Sequence, residues 1–264
     1  MVRKVLGSLS ALVGDAQERG LVAVNVAKDI SKRRRVSQGE KRAKGKLKVG
    51  VDIPTLEEVR AFVSALSGRW RPMMLTAVFT GLRSSELRGL KWDDVNLKAG
   101  EIHVVRRVDE FGVFGPPKSE SGERVVPLPP MLVNALKEWR LACPKTDENL
   151  VFPTKNGTPQ SHANAINRGL IPSMIAAGVT TTVIKPDGSE AIAAKYTGLH
   201  ALRHFYASWC INAVSDGGLG LTPKAVQARL GHATIVMTLD VYGHIFPRND
   251  IGAEMATAEA RFYS

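Results

Sequence analysis

The segment that most constrains this chain is TGLHALRHFYASWCI, residues 197–211. At helical spacing His200 and Arg203 share one face, while Leu199, Leu202, Phe205, Tyr206 and Trp209 fill the others. So apolar a helix belongs in a folded core, and an arginine carried there needs an anion. His200 and His204, four apart, also form half of a metal site. No HExxH pattern and no nearby Asp, Glu or Cys completes such a shell, so no metal is expected.

The partner class follows from charge. The 264 residues carry 36 Lys and Arg against 25 Asp and Glu, a net +11 that favours a polyanion such as nucleic acid or an acidic membrane. Residues 1–50 hold 13 basic and 4 acidic residues, so +9 of that total lies in the first fifth of the chain. The two cysteines, Cys143 and Cys210, form no CxxC pair, which argues against a disulfide framework and fits a reducing cytoplasm. The most apolar stretch, Met73 to Leu82, is about half the length that crosses a bilayer, and no signal-peptide pattern opens the chain. Neither a membrane protein nor a secreted one is expected.

Residues 2–19 place Val2, Val5, Leu6, Leu9, Leu12, Val13 and Ala16 on a helical stripe, expected to be buried, which one helix cannot bury alone. A linker-like basic run follows, including Lys32, Arg33, Arg34, Arg35, Lys41 and Arg42. A globular unit opens at Pro54 with a Thr55/Glu58 capping box ahead of Leu56, Val59, Phe62, Val63 and Leu66. Helices are predicted from Pro72 to about Thr80, over 85–90, and at 130–141, 161–176, 198–213, 222–230 and 234–242. Val- and Ile-rich stretches at 101–108, 111–114 and 123–128 predict one small antiparallel sheet, and Pro186-Asp187-Gly188 a hairpin within 178–197. Neither a repeat nor a strand–helix alternation occurs, which argues against a parallel α/β sheet.

Four further polar positions stand out. Arg83 follows Gly81-Leu82 at a helix start in TGLRSSELRGLKW, with Glu86 three residues on to buttress its guanidinium. Lys118 sits in the loop PPKSESGERVVPL; His232 follows the helix-ending Gly231; Tyr242 comes ten residues later. Taken singly, these read as a solvated arginine, a solubilising lysine, a helix cap and a core-edge tyrosine. Together, Arg83, a hairpin Lys118, His200-Ala-Leu-Arg203, Leu230-Gly231-His232 and Tyr242, in this order, resemble the catalytic domain of the tyrosine recombinases, the phage integrase family. The match covers roughly residues 54–246, and no catalytic position departs from the pattern.

The resemblance implies an α+β fold, mainly α-helical, with a small antiparallel sheet or hairpin. It implies four segments: residues 1–27 as the last helix of a truncated core-binding domain, 28–50 as a basic interdomain linker on the DNA backbone, 51–249 as the catalytic domain, and 250–264 as a tail docking on a neighbouring protomer. The 178–197 hairpin is similar to an insertion of unassigned role. The implied reaction is site-specific DNA recombination through a 3′-phosphotyrosyl link, with neither metal nor cofactor. Tyr242 attacks the scissile phosphate, Arg83 and Arg203 hold its non-bridging oxygens, a neutral His200 accepts the tyrosine proton, Lys118 protonates the leaving 5′ oxygen, and His232 hydrogen bonds the phosphate. Implied partners are double-stranded attachment sites, a homotetramer on DNA and accessory DNA-bending proteins, in the cytoplasm at the nucleoid of a prokaryotic host. A type IB topoisomerase and a non-catalytic DNA-binding protein are the alternatives.

Overall fold

The computed structural model describes residues 2–28, 46–117, 119–185, 187–246, 255 and 259–263. The chain forms two compact units, Met1–Lys46 and Leu47–Ser264. In the first, helix α1 (Val2–Glu18) ends at Gly20, and the chain doubles back so that the Asn25 side chain donates to the Ser10 carbonyl at 2.8 Å. Val5, Leu9 and Leu12 of the expected buried stripe are exposed. A second side-chain amide, that of Gln17, donates to the Ala23 carbonyl at 3.1 Å, so polar contacts tie the returning segment to the helix.

The second unit begins as the sequence dictates. Thr55 caps α2 (Leu56–Ala65), its hydroxyl accepting from the Glu58 N–H while the Glu58 carboxylate accepts from that of Thr55. α3 (Arg71–Thr80) has Pro72 in its first turn and ends at Gly81 in the left-handed conformation, φ 59°. Nearly every side chain of α3 is buried, so it forms the centre of the core. α4 (Ser84–Arg88) follows after three residues.

Strands β1 (Val95–Asn96), β2 (Glu101–Val104) and β5 (Arg124–Pro127) make a three-stranded antiparallel sheet in the order β1-β2-β5, with Ile102 opposite Val126. β3 (Arg107–Val108) and β4 (Phe114–Gly115) pair separately, so the single sheet expected over these stretches is in fact two. The chain breaks from the first sheet at Val105 and Arg106, where the Arg106 guanidinium pairs with Asp94 at 3.1 Å.

α5 (Pro130–Ala142) packs on α3. The helix expected over 161–176 is interrupted: α6 (His162–Asn164) opens into a π-helical turn, Ala165–Leu170, before α7 (Ile171–Ala176). Pro172 explains the widening, since it has no N–H to offer the Arg168 carbonyl and its ring crowds it. The hairpin β6 (Thr180–Ile184) and β7 (Glu190–Ala194) pairs Thr180 with Ala194 and Ile184 with Glu190; Pro186 lies outside the described residues.

α8 (Leu199–Ile211) packs along α3 and buries Leu202, Phe205, Tyr206, Ala207 and Cys210, and also Arg203. α9 (Pro223–Leu230) is capped by the Thr222 hydroxyl and ends at Gly231, φ 63°; α10 (Ile235–Tyr242) is capped by that of Thr234. The unit is therefore mainly helical with small antiparallel sheets, as the patterning implies. No described helix is long and apolar enough to cross a membrane.

Candidate active site

Arg203 enters the core on α8 with its side chain almost entirely buried, and two helix ends meet it. Its Nη1 donates to the Gly81 carbonyl at 2.6 Å, where α3 stops, and its Nη2 to that of Leu230 at 2.7 Å, where α9 stops. Carbonyls at helix C-termini lack intrahelical donors and carry the negative end of the helix dipole, so they suit a buried guanidinium. Both ends rest on glycine. A Cβ at Gly81 would run into the Tyr206 ring, and one at Gly231 would stand 2.9 Å from Arg124 Nη1 and from the Ser121 carbonyl. Burial, then Arg83 and Arg124, lower the Arg203 pKa to about 10, which leaves it charged at neutral pH.

Arg83 occupies the N-cap position of α4. Its Nη2 donates to the Gly231 carbonyl at 2.8 Å and its Nη1 to Glu86 Oε1 at 2.7 Å. Glu86, 3% exposed, also accepts from Arg124 Nη2 at 2.8 Å and from the Arg83 backbone N–H at 2.9 Å. Burial pushes the Glu86 carboxyl up, but Arg124 and Arg83 overcome it and hold the pKa below the usual carboxylate value. Arg124 Nε donates to the Arg229 carbonyl at 2.8 Å. One carboxylate and the C-terminal turn of α9 thus orient three arginines.

Tyr242, the last residue of α10, is 2% exposed. Its hydroxyl lies 2.7 Å from His204 Nδ1, and its ring stacks parallel to that of His232 with centroids 6.4 Å apart. His232 Nδ1 lies 3.0 Å from the Thr238 hydroxyl, and its carbonyl accepts from Gln227 Nε2 at 3.0 Å. Burial raises the Tyr242 pKa to about 12, opposed by Arg203. Burial, followed for His204 by His200 and Arg203 and for His232 by Arg203, Arg83 and Arg124, lowers both histidines to about 4, so both are neutral at pH 7.

The structure thus brings together Arg83, Glu86, His200, Arg203, His232 and Tyr242. His200 lies one helical turn before His204 with part of its side chain exposed, and the burial of the rest, followed by Arg203 and Arg83, lowers its pKa. The tyrosine hydroxyl meets His204, however, and not His200, because the hydroxyl lies level with the second turn of α8. Lys118, Lys32, Arg33, Arg34, Arg35, Lys41 and Arg42 lie outside the described residues. Arg124 and Thr238 are not singled out by the sequence. The signal for Arg124 is a lone cation at the start of Arg-Val-Val-Pro, on a strand whose Val126 is buried.

The phage integrase family model matches residues 54–248. The chain is 28% identical over 227 residues to a XerC-like tyrosine recombinase of Caldanaerobacter subterraneus subsp. tengcongensis, covering 78% of this chain and 54% of that protein. It is 30% identical over 233 residues to tyrosine recombinase XerC of Xylella fastidiosa, covering 86% and 64%. The chain thus spans between about half and two thirds of the length of these relatives. Among solved structures, the Tn1549 transposon integrase in complex with circular intermediate DNA superposes with a TM-score of 0.59 at 20% identity, over 97% of this chain and 85% of that one. With a family model covering most of its globular unit, this chain belongs to the phage integrase family.

Proposed function

We propose that this chain is a site-specific DNA recombinase that cuts and rejoins duplex DNA through a 3′-phosphotyrosyl link on Tyr242. The observation that carries the reading is the pair of guanidiniums fixed on helix-end carbonyls beside a buried tyrosine hydroxyl. Among the described residues, Arg83 and Arg203 each use two of the five side-chain N–H groups of a guanidinium, which leaves donors for a phosphate. Phosphoryl transfer spreads negative charge over the non-bridging oxygens, and donors fixed in advance are worth about 3–4 kcal/mol each in comparable anion sites.

In the proposed reaction the Tyr242 oxygen attacks phosphorus and the 5′ oxygen leaves, protonated by Lys118. His232, with Nδ1 engaged by Thr238, offers Nε2 to a non-bridging oxygen. A 5′ hydroxyl from a second duplex then attacks the phosphotyrosine, so bond energy is conserved and no nucleotide is consumed. Two duplexes require several protomers, a tetramer in the simplest arrangement. The basic run that includes Lys32, Arg33, Arg34, Arg35, Lys41 and Arg42 tracks the DNA backbone, and residues 250–264 dock on a neighbouring protomer.

The test is a nicked suicide duplex carrying a candidate attachment site. A covalent protein–DNA adduct is expected to form in EDTA and to vanish in Tyr242→Phe. An adduct that persists in Tyr242→Phe, or a strict need for a divalent ion, overturns the reading. Strand exchange between two duplexes separates it from relaxation of one. Neutralising Arg33, Arg34 and Arg35 together is expected to weaken binding and flatten its salt dependence, without slowing cleavage in a saturated complex.

A further inference from the structure

Tyr242 ends a helix that the core holds lightly. In α10 Thr238 and Tyr242 are buried, while Ile235, Val236, Met237 and Leu239 stay exposed, so little apolar burial fixes its place. The contacts of the tyrosine hydroxyl and of His232 orient side chains, and the backbone at the end of the helix needs a hold of its own. After Tyr242 the chain turns at once: the Gly243 N–H donates to the Leu239 carbonyl at 2.8 Å, and that of Ile245 to the Tyr242 carbonyl at 2.9 Å. Between these two residues stands His244, partly buried, whose Nε2 lies 2.7 Å from the Leu47 carbonyl, 197 positions earlier. A carbonyl only accepts, so Nε2 carries the proton and donates.

The Leu47 carbonyl is a firm anchor. Leu47 packs against the core, and the turn that follows it is closed by short hydrogen bonds. The Lys48 carbonyl accepts from the Asp52 N–H at 2.8 Å, the Asp52 carboxylate accepts from the Lys48 N–H at 2.9 Å, and Gly50, φ 81°, donates to the Ile53 carbonyl at 2.7 Å. Ile53 is fully buried, and α2 begins three residues on. Leu47 also opens the globular unit, so the chain's entry into that unit is tied to its exit from the tyrosine helix.

We propose that His244 is a positioning residue for Tyr242, a reading that rests on Tyr242 being the nucleophile. Its hydrogen bond holds the backbone two residues beyond the tyrosine against the Leu47 anchor, and so fixes where the tyrosine oxygen stands relative to Arg83 and Arg203. Attack on phosphorus needs that oxygen in line with the departing 5′ oxygen, and a displacement of about 1 Å costs about 100-fold in rate. The arginines do not depend on this latch, because Glu86 and the ends of α3 and α9 hold them. The latch therefore acts on the rate of attack and not on the binding of DNA.

The experiment measures DNA affinity and, at saturating DNA, single-turnover adduct formation on the nicked duplex. In His244→Ala the rate is expected to fall about 100-fold while the dissociation constant changes less than about threefold. His244→Gln, whose amide N–H takes the place of Nε2–H, is expected to recover to within about fivefold of wild type, whereas His244→Phe, with a ring but no donor, is expected to be as slow as His244→Ala. On a duplex whose scissile 5′ oxygen is replaced by sulfur, a leaving group that departs without an acid, the slowing of His244→Ala relative to wild type is expected to persist. A wild-type rate in His244→Ala sinks the proposal, and so does a His244→Gln no faster than His244→Phe, the behaviour of a side chain that only fills space. Weakened binding that accounts for the whole loss, the behaviour of a DNA contact, overturns it too, as does recovery of His244→Ala on the sulfur duplex, which places the defect at the leaving group. Should His244→Ala fail to fold, His244→Phe and His244→Gln carry the same comparison. Loss of the adduct in Tyr242→Phe with no slowing in His244→Ala overturns this inference alone; an adduct in Tyr242→Phe overturns the reading beneath it.

Discussion

On one side of the pocket, three arginines lie among backbone carbonyls and a single carboxylate; on the other lie a buried tyrosine and two neutral histidines, His232 buried and His204 half-buried. The arginine side is held by atoms that move only if helices move: the ends of α3 and α9 and the first turn of α4. The tyrosine side is held by hydrogen bonds between side chains, which exchange partners without disturbing the fold. The division suits the proposed phosphoryl transfer. Charge stabilisation rewards immobility, whereas the proposed nucleophile, Tyr242, has to move its oxygen onto phosphorus.

The largest effect that sharpens this contrast is expected from Arg203→Lys. An ammonium is a point charge and does not span two carbonyls while presenting a fork to phosphate. Single-turnover cleavage is expected to fall about 1,000-fold with DNA affinity changed less than tenfold; equal losses in both would dissolve the distinction between placement and charge. Next comes Glu86→Gln, which removes the shared carboxylate and leaves two cations facing each other. Thermal unfolding is expected to show a loss of about 3 kcal/mol, whereas removing the His204 hydrogen bond to Tyr242 costs about 1 kcal/mol.

The tyrosine side has its own signature in pH. His204 and His232 have pKa values of about 4 when folded, against about 6.5 in an unfolded chain. Between those values the unfolded chain binds protons that the folded one refuses. Their neutral burial therefore costs nothing above about pH 6.5 and destabilises progressively as pH falls towards 4. Discounted for solvent screening, about 2 kcal/mol is expected to disappear over that window. The double variant His204→Asn/His232→Asn is expected to flatten it, as followed by denaturant titration at several pH values. The smallest effect is expected for Gly231→Ala, about 1 kcal/mol of stability from a positive φ and a close approach to Arg124. Cleavage by this variant is expected to suffer more than its stability, since the displaced carbonyl is the anchor of Arg83.

Much of this site is written in short strings. Gly81-Leu82-Arg83, Leu199-to-Arg203 and Gly231-His232 each place a cation or a histidine next to the backbone feature that positions it, so local patterning identifies them. Their convergence is not local. Arg83 meets Gly231 across 148 positions, and Arg124 meets Glu86 across 38, through strand register that the β-rich stretches do not declare. Which of His200 and His204 meets the tyrosine hydroxyl is likewise not a local matter. Both are histidines on one helix face, and only the height of Tyr242 along α8 separates them. The single sheet expected over 101–128 divides at Val105 and Arg106, beside the Arg106–Asp94 ion pair, a contact with no local mark in the sequence. In α1 the periodicity gives the helix correctly, but its burial depends on surfaces that periodicity does not describe.

The anchoring of both arginines on the final turn of α9 also bears on how a chain of this kind can change length. Successive residues of an α-helix are turned by about 100°. Deleting one residue between the Thr222 cap and Gly231 would therefore swing the Leu230 and Gly231 carbonyls a quarter-turn away from Arg203 and Arg83. α9 carries none of the proposed reacting groups, and its residue count is nonetheless fixed by them. Among the described residues the β6–β7 hairpin makes no hydrogen bond to Arg83, Arg124, Arg203 or Tyr242, and it is exposed at Ile184 and Ile192. Insertions and deletions are thus expected to be tolerated in the hairpin, which precedes α8 in the chain, and rejected in a helix whose end positions two arginines.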